Sequence, residues 1–214
     1  MSDHAEPRAD RSDRRANLAR NPGLETPPVK RALILAAGRG SRLHAKTWDA
    51  PKCLVEVGGE SIIERALRAL ASEGIAEAMI VVGYKADVLR EKIGSNFAGI
   101  DIHYIYAPDY ATTNNIQSLW EARDYLDRDV VLLEADIAFD SDVIRALLAT
   151  SGSAAAVAPY DPSLSGTVVR PDADGNVMSF ALGAEQDKQF ERSGTFKTVN
   201  IYLLRKESLD EIVP

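Results

Sequence analysis

From residue 31 onward, short apolar runs alternate with longer amphipathic stretches. Ala32–Ala37, Ala78–Tyr84 and Val130–Asp136 are nearly continuous hydrophobic segments, the pattern of strands covered on both faces. Between the first two, SIIERALRALASEG at 61–74 predicts a helix, with Ser61 and Glu64 as a capping box and Gly74 as the stop. ADVLREKIG predicts a shorter helix ending at Gly94, and DIHYIYA from Asp101 alternates as a strand does. NNIQSLWEARDYL at 114–126 sets Ile116, Leu119, Trp120, Arg123 and Leu126 at helical spacing behind Asn114 as N-cap. SDVIRALLAT at 141–150 reads as a helix that Ser141 caps.

Beyond Ser151 the texture changes to strand-like segments: AAAVAPY, GTVVRPDADGNVMSFAL and FKTVNIYLL. The stretch from Val168 to Phe180 predicts a hairpin turning at Asp172–Gly175, where Asp-Gly suits positive φ. LRKESLDEIVP supplies a final helix. The expected fold is α/β: a Rossmann-like, mixed, mainly parallel sheet flanked by helices, with a late antiparallel portion. Residues 1–30 carry no apolar periodicity and read as a disordered tail, leaving 31–214 as one domain.

Composition narrows the function. A net charge of -7 argues against non-specific nucleic-acid binding and suits a metal-assisted enzyme. No apolar run approaches the roughly 20 residues of a membrane span, and the tail lacks the apolar core of a signal peptide. Cys53 is the single cysteine, so a reducing cytoplasm is the expected location. His44 and His103 lack zinc spacing, no Ser-His-Asp order stands out, and Trp48 and Trp120 read as core residues, not as a cation cage.

The chemistry concentrates where the first strand ends, in ALILAAGRGSRL. Ligands of open α/β sheets sit outside the carboxyl ends of the strands, and glycines let backbone approach them. The dinucleotide fingerprint fails because Leu43 stands where its third glycine belongs, and the GxxxxGK of a P-loop is absent. What remains is Gly38-Arg39-Gly40-Ser41-Arg42, followed by Pro51-Lys52, two fixed cations suited to a polyphosphate. Asp136, leaving a hydrophobic strand toward the same end, reads either as a turn or cap residue or as a Mg²⁺ ligand, with Glu134 and Asp140 as lesser candidates. Asn114 and Asn115 read as a helix cap and its echo, and Tyr84 beside Gly83 as packing or pocket.

These residues resemble a known family. LAAGRGSRL followed by APKCLVEVGGESIIERAL is similar to the LAAGxGxR…PK signature of nucleotidyltransferases, which join an NTP to a phosphorylated small molecule and release pyrophosphate. IVVGY, TTNNIQSLWEARDYL, LLEADIAFD and FKTVNIYLL resemble the cytidylyltransferase-like branch, which includes phosphocholine and 2-aminoethylphosphonate cytidylyltransferases. The resemblance implies a nucleotide-diphospho-sugar transferase type of fold. It implies transfer of CMP from CTP to a phosphate or phosphonate, with a sugar 1-phosphate enzyme using UTP or dTTP, or a non-catalytic nucleotide-binding module, as alternatives.

By the same resemblance Arg42 and Lys52 are catalytic. Ala36, Ala37, Gly38, Gly40, Ser41, Gly83, Tyr84, Asn114 and Asn115 meet the nucleotide, Lys197 and Asn200 the acceptor, and Asp136 binds Mg²⁺. Similar enzymes continue past the VNIY strand to a second acidic segment, whereas this sequence stops at Pro214, and Asp210 and Glu211 read as surface residues of the final helix. The expectation is therefore a C-terminally truncated domain or a half-built metal site.

Overall fold

A computed structural model of the chain describes residues 29–40, 48–161, 166–186 and 189–212. The tail expected over 1–30 lies outside these, apart from its last two residues. Val29 is buried, and the Lys30 carbonyl accepts the N–H groups of Ala76 and Glu77.

The elements follow in the order β1 (Arg31–Ala36), β2 (Glu56–Val57), β3 (Glu60–Ser61), α1 (Ile62–Ser72), β4 (Glu77–Val82), α2 (Ala86–Ile93), β5 (Asn96–Phe97) and β6 (Ile100–Tyr106). They continue with α3 (Asn115–Glu121), β7 (Val130–Glu134), α4 (Ser141–Leu148), β8 (Ala154–Pro159), β9 (Val168–Pro171), β10 (Val177–Ala181), β11 (Phe196–Leu204) and α5 (Lys206–Ile212). Among the described residues, nine strands form one sheet in the order β10-β9-β11-β7-β1-β4-β6-β5, with β8 also paired to β11. Strands β7, β1, β4 and β6 are parallel, while β11 joins β7 antiparallel and brings β8, β9 and β10 with it. The mainly parallel sheet with a late antiparallel portion is thus as the sequence predicts.

Both faces of the parallel strands are covered, which is why their sequences read as continuous hydrophobic runs. Ala32, Ile34 and Ala36 face a cluster with Ile63, Leu67 and Leu70 of α1, Leu89 of α2 and Ile144 of α4. Leu33 turns the other way, toward Met79, Val81, Ala122, Leu126 and Leu209. Each fully buried Leu or Ile adds about 1.5–3 kcal/mol. The capping box of α1 is present, with the Ser61 hydroxyl accepting the Glu64 N–H and the Glu64 carboxylate accepting the Ser61 N–H. Among the described residues, no helix is long and apolar enough to cross a membrane.

Three local expectations need correction. The helix expected over 114–126 breaks after Glu121, where Ala122 N–H bonds Leu119 one residue tighter than an α-helix, and a 3-10 turn follows at Arg123–Tyr125. Ser141 does not cap α4: it is the first helical residue, and the preceding Asp140 spends its carboxylate on Arg65 at 2.7 Å. Trp48 and Trp120 are not core residues, being 71% and 49% exposed. The Trp120 ring instead carries the Arg123 guanidinium at 4.9 Å.

Candidate active site

Strand order places the site. From β1 the parallel set moves to β4 and then β6 on one side, while β7, the last of the set in the chain, lies beside β1 on the other. The connections leaving β1 and β7 therefore diverge and open a crevice at the carboxyl ends of the two strands. Residues 37–40 leave β1 there and Ala135–Asp136 leave β7, with Ala135 N–H still bonded to the Leu35 carbonyl at 3.0 Å. The crevice holds a cleft of about 220 Å³ lined by Ala36, Gly38, Gly40, Lys52, Asn115, Glu134 and Asp136, together with Leu35, Cys53 and Ala135.

Lys52 and Asp136 meet directly, ammonium on carboxylate, with side chains 28% and 30% exposed. The lysine is fixed at its root. It opens a 3-10 turn in which the Pro51 and Lys52 carbonyls accept the N–H groups of Leu54 and Val55. Its stem lies across Gly40, which has φ +64 and where an added Cβ would stand 2.7 Å from the Lys52 Cβ. Gly40 is a glycine for two reasons: a left-handed backbone and the passage of a lysine.

Glu134, which the sequence offers only as a lesser metal candidate, lines the cleft. Asn115 donates to its Oε1 at 2.7 Å. Burial, then the charge of Asp136, raise its carboxyl above the usual value, against the opposing effects of the Asn115 and Asn200 amides and Lys52. Asn200 reaches Glu134 because β11 bulges: its φ is +55, and the register with β8 slips between Thr198 and Tyr202. Its Oδ1 accepts the hydroxyls of Thr198 at 3.1 Å and Tyr202 at 3.3 Å, which turns the NH₂ toward the carboxylate. Cys53 is also part of the wall, and burial pushes its thiol up to about 12, so it is an unreactive spacer.

The structure gathers Ala36, Gly38, Gly40, Lys52, Asn115 and Asp136 into one cleft, and the other described residues expected there do not line it. Arg42 and Ser41 lie outside the described residues. Ala37 borders the loop, but its carbonyl accepts the Tyr84 N–H. Gly83 is needed by Tyr110, whose ring would be 2.5 Å from an added Cβ, and Tyr84 donates its hydroxyl to the Trp48 carbonyl under Arg39. Asn114 uses its side chain on the Ile116 N–H as the cap of α3. Lys197 points at the carbonyls of Thr167 and Thr198, against Gly166, and does not line the cleft. Asn200 supports Glu134. Asp140 pairs with Arg65 and is no neighbour of the cleft.

Residues 32–184, which carry this loop, lysine and pair of carboxylates, match the model of a described domain. The chain belongs to the MobA-like NTP transferase domain family. Within it, the chain is 43% identical over 183 residues to the CMP-5'-(3-aminopropyl)phosphonate synthase of Streptomyces rubellomurinus, covering 85% of this chain and 29% of that protein. It is 36% identical over 124 residues to the CTP:phosphoglutamine cytidylyltransferase of Campylobacter jejuni, covering 55% of this chain and 47% of the other. The chain thus spans less than half the length of either relative. The CTP:phosphocholine cytidylyltransferase structure from Streptococcus pneumoniae superposes with a TM-score of 0.66 at 24% identity, covering 87% of this chain and 75% of that one. That likeness establishes the nucleotide-diphospho-sugar transferase fold for this NTP transferase domain.

Proposed function

We propose that this domain transfers CMP from CTP to the phosphate or phosphonate oxygen of a small molecule and releases pyrophosphate. One observation carries the reading: Lys52 and Asp136 converge over Gly40 in the crevice between β1 and β7. The names of the two relatives support CTP as donor and a phosphonate or phosphate as acceptor.

In this reaction an ionised acceptor oxygen attacks the α-phosphorus in line. A new bond forms between that oxygen and phosphorus as the bond to the bridging oxygen breaks, and the electron pair leaves with pyrophosphate. No protein nucleophile is needed, so the chain's contribution is orientation and neutralisation of charge. Lys52 holds phosphate oxygens with an ammonium whose stem runs past Gly40. Gly38 and Gly40 let the backbone approach the phosphates without a side chain between. Asn115, held by Glu134, offers an amide at the cleft wall.

Among the described residues, no group of three or more His, Cys, Asp and Glu side chains is placed to hold a metal. A closed protein cage is therefore not on offer. Asp136 with Glu134 beside it is instead a hard-oxygen donor set of the kind Mg²⁺ accepts when phosphates and waters complete its shell. The residues fit Mg²⁺, with Asp136 as ligand, and the bound ion would neutralise charge on the phosphates.

The test is a pyrophosphate-release screen of the four NTPs with Mg²⁺ against phosphocholine, 2-aminoethylphosphonate, polyol phosphates and sugar 1-phosphates. Release with CTP and a phosphate or phosphonate is the expected result. Release only with UTP or dTTP and a sugar 1-phosphate would move the domain to the sugar nucleotide branch. CTP binding without release in any combination would make it a binding module.

A further inference from the structure

We propose that Lys52 and a divalent cation compete for the Asp136 carboxylate, so that this chain binds the metal alone poorly and takes up metal and polyphosphate as a coupled pair. The inference rests on Asp136 being the metal ligand. It concerns the order of assembly and not the chemistry that follows.

The contact that carries it is the ammonium of Lys52 seated on Oδ2 of Asp136 within the cleft. The Lys52 side chain is 28% exposed. Its stem runs past Gly40, where an added Cβ would stand 2.7, 3.2 and 3.3 Å from the Lys52 Cβ, Cγ and Cδ, and the Lys52 backbone opens the 3-10 turn at Lys52–Leu54. The root of the side chain is thereby placed beside the cleft, with its ammonium on Asp136. Among the described residues, Asp136 is its hydrogen-bond partner. A metal ion approaching Asp136 on its own meets a like charge already bound to the same carboxylate.

A polyphosphate changes the balance. An ammonium has three donors, and phosphate oxygens in the cleft give them charged acceptors. Lys52 then has a partner other than Asp136, and the carboxylate is released to a cation. Coupling of this kind is reciprocal: whatever draws Lys52 off Asp136 strengthens metal binding, and metal on Asp136 strengthens phosphate binding by the same factor. Glu134 does not replace Asp136 as the lysine's partner, because the Asn115 and Asn200 amides already hold it.

The experiment titrates Mn²⁺, followed by the electron paramagnetic resonance of the free ion, into the 214-residue chain with no nucleotide present. Lys52→Met and the near-isosteric Lys52→Gln are each expected to bind Mn²⁺ at least about tenfold more tightly than wild type, within the usual range of such couplings. Lys52→Arg, which keeps the competitor, is expected to show no gain, and adding Asp136→Asn to either neutral variant is expected to abolish it. Circular dichroism identifies the folded variants, and having two neutral substitutions protects the test against one misfolding. Equal Mn²⁺ affinity in wild type and both neutral variants would overturn the proposal, as would a gain that survives Asp136→Asn. Since no nucleotide takes part, a failed pyrophosphate screen leaves this result readable, and an active domain with no gain rejects the competition alone.

Discussion

The two ends of the parallel strands both carry ion pairs, and they are built differently. At the amino end Arg31, its side chain 8% exposed, meets Glu77 at 3.0 Å, Asp127 at 2.7 Å and the Tyr125 carbonyl at 2.8 Å. Nearby, Arg205 meets Asp129 at 2.7 Å and the Thr150 carbonyl at 2.5 Å, and Asp129 also accepts the Lys206 N–H. Each guanidinium there ties several chain segments together in a fixed fork. At the carboxyl end a lysine with three rotatable donors sits directly on one carboxylate in the wall of an open cleft. The amino end uses charge to hold loops in place, whereas the carboxyl end keeps charge available for a ligand.

Mutations at the two ends should therefore fail in different ways. The largest effect is expected for Lys52→Ala or Asp136→Asn. Pyrophosphate release should fall on the order of 10³-fold, as for loss of a preorganised charge-stabilising group, while the melting temperature measured by calorimetry stays close to wild type. A comparable loss of stability in both would erase the distinction between the ends. Arg205→Ala should do the reverse, costing about 3 kcal/mol in urea unfolding because Asp129 loses a buried partner, with turnover per folded molecule retained.

Gly40→Ala sharpens the contrast within the carboxyl end. The new Cβ would displace the Lys52 stem, so activity should drop about tenfold, with a KM for CTP that rises in steady-state kinetics. The smallest effect belongs to Ser61→Ala, which removes the α1 cap for about 1 kcal/mol. The Ser61 hydroxyl holds the Glu64 carboxyl below its ordinary value of 4.5, with Lys92 adding to the effect. That contribution is present above pH 4.5 and lost as pH falls through the lowered folded-state value. The stability gap between wild type and Ser61→Ala should accordingly narrow on acidification, as unfolding curves at pH 6 and pH 3 would record.

What the sequence reveals depends on how local the cause is. The runs at Ala32–Ala37 and Val130–Asp136 declare buried strands, and Ser61 with Glu64 declares a cap, because each is decided within a few residues. Lys52 and Asp136 were legible as cations and acids near strand ends, but not their mutual contact across 84 residues. The packing of Gly83 depends on Tyr110, and the place of Asn200 on a bulge in the pairing of β11 with β8, so neither is legible from its neighbours in sequence. Trp48 and Trp120 look like core by composition alone. Trp48 sits in a bend outside any helix or strand and Trp120 on the uncovered face of the short α3, and no residue spacing announces either.

Transfer, as opposed to binding or hydrolysis, is tested most directly by ³¹P nuclear magnetic resonance of the domain incubated with CTP, Mg²⁺ and 2-aminoethylphosphonate or another acceptor that passes the screen. The site at Lys52 and Asp136 predicts equal amounts of pyrophosphate and of a new pair of coupled phosphorus signals from the CMP-acceptor anhydride, both absent with Lys52→Ala. Free CMP with no coupled pair, or the same product from Lys52→Ala at the wild-type rate, would contradict it.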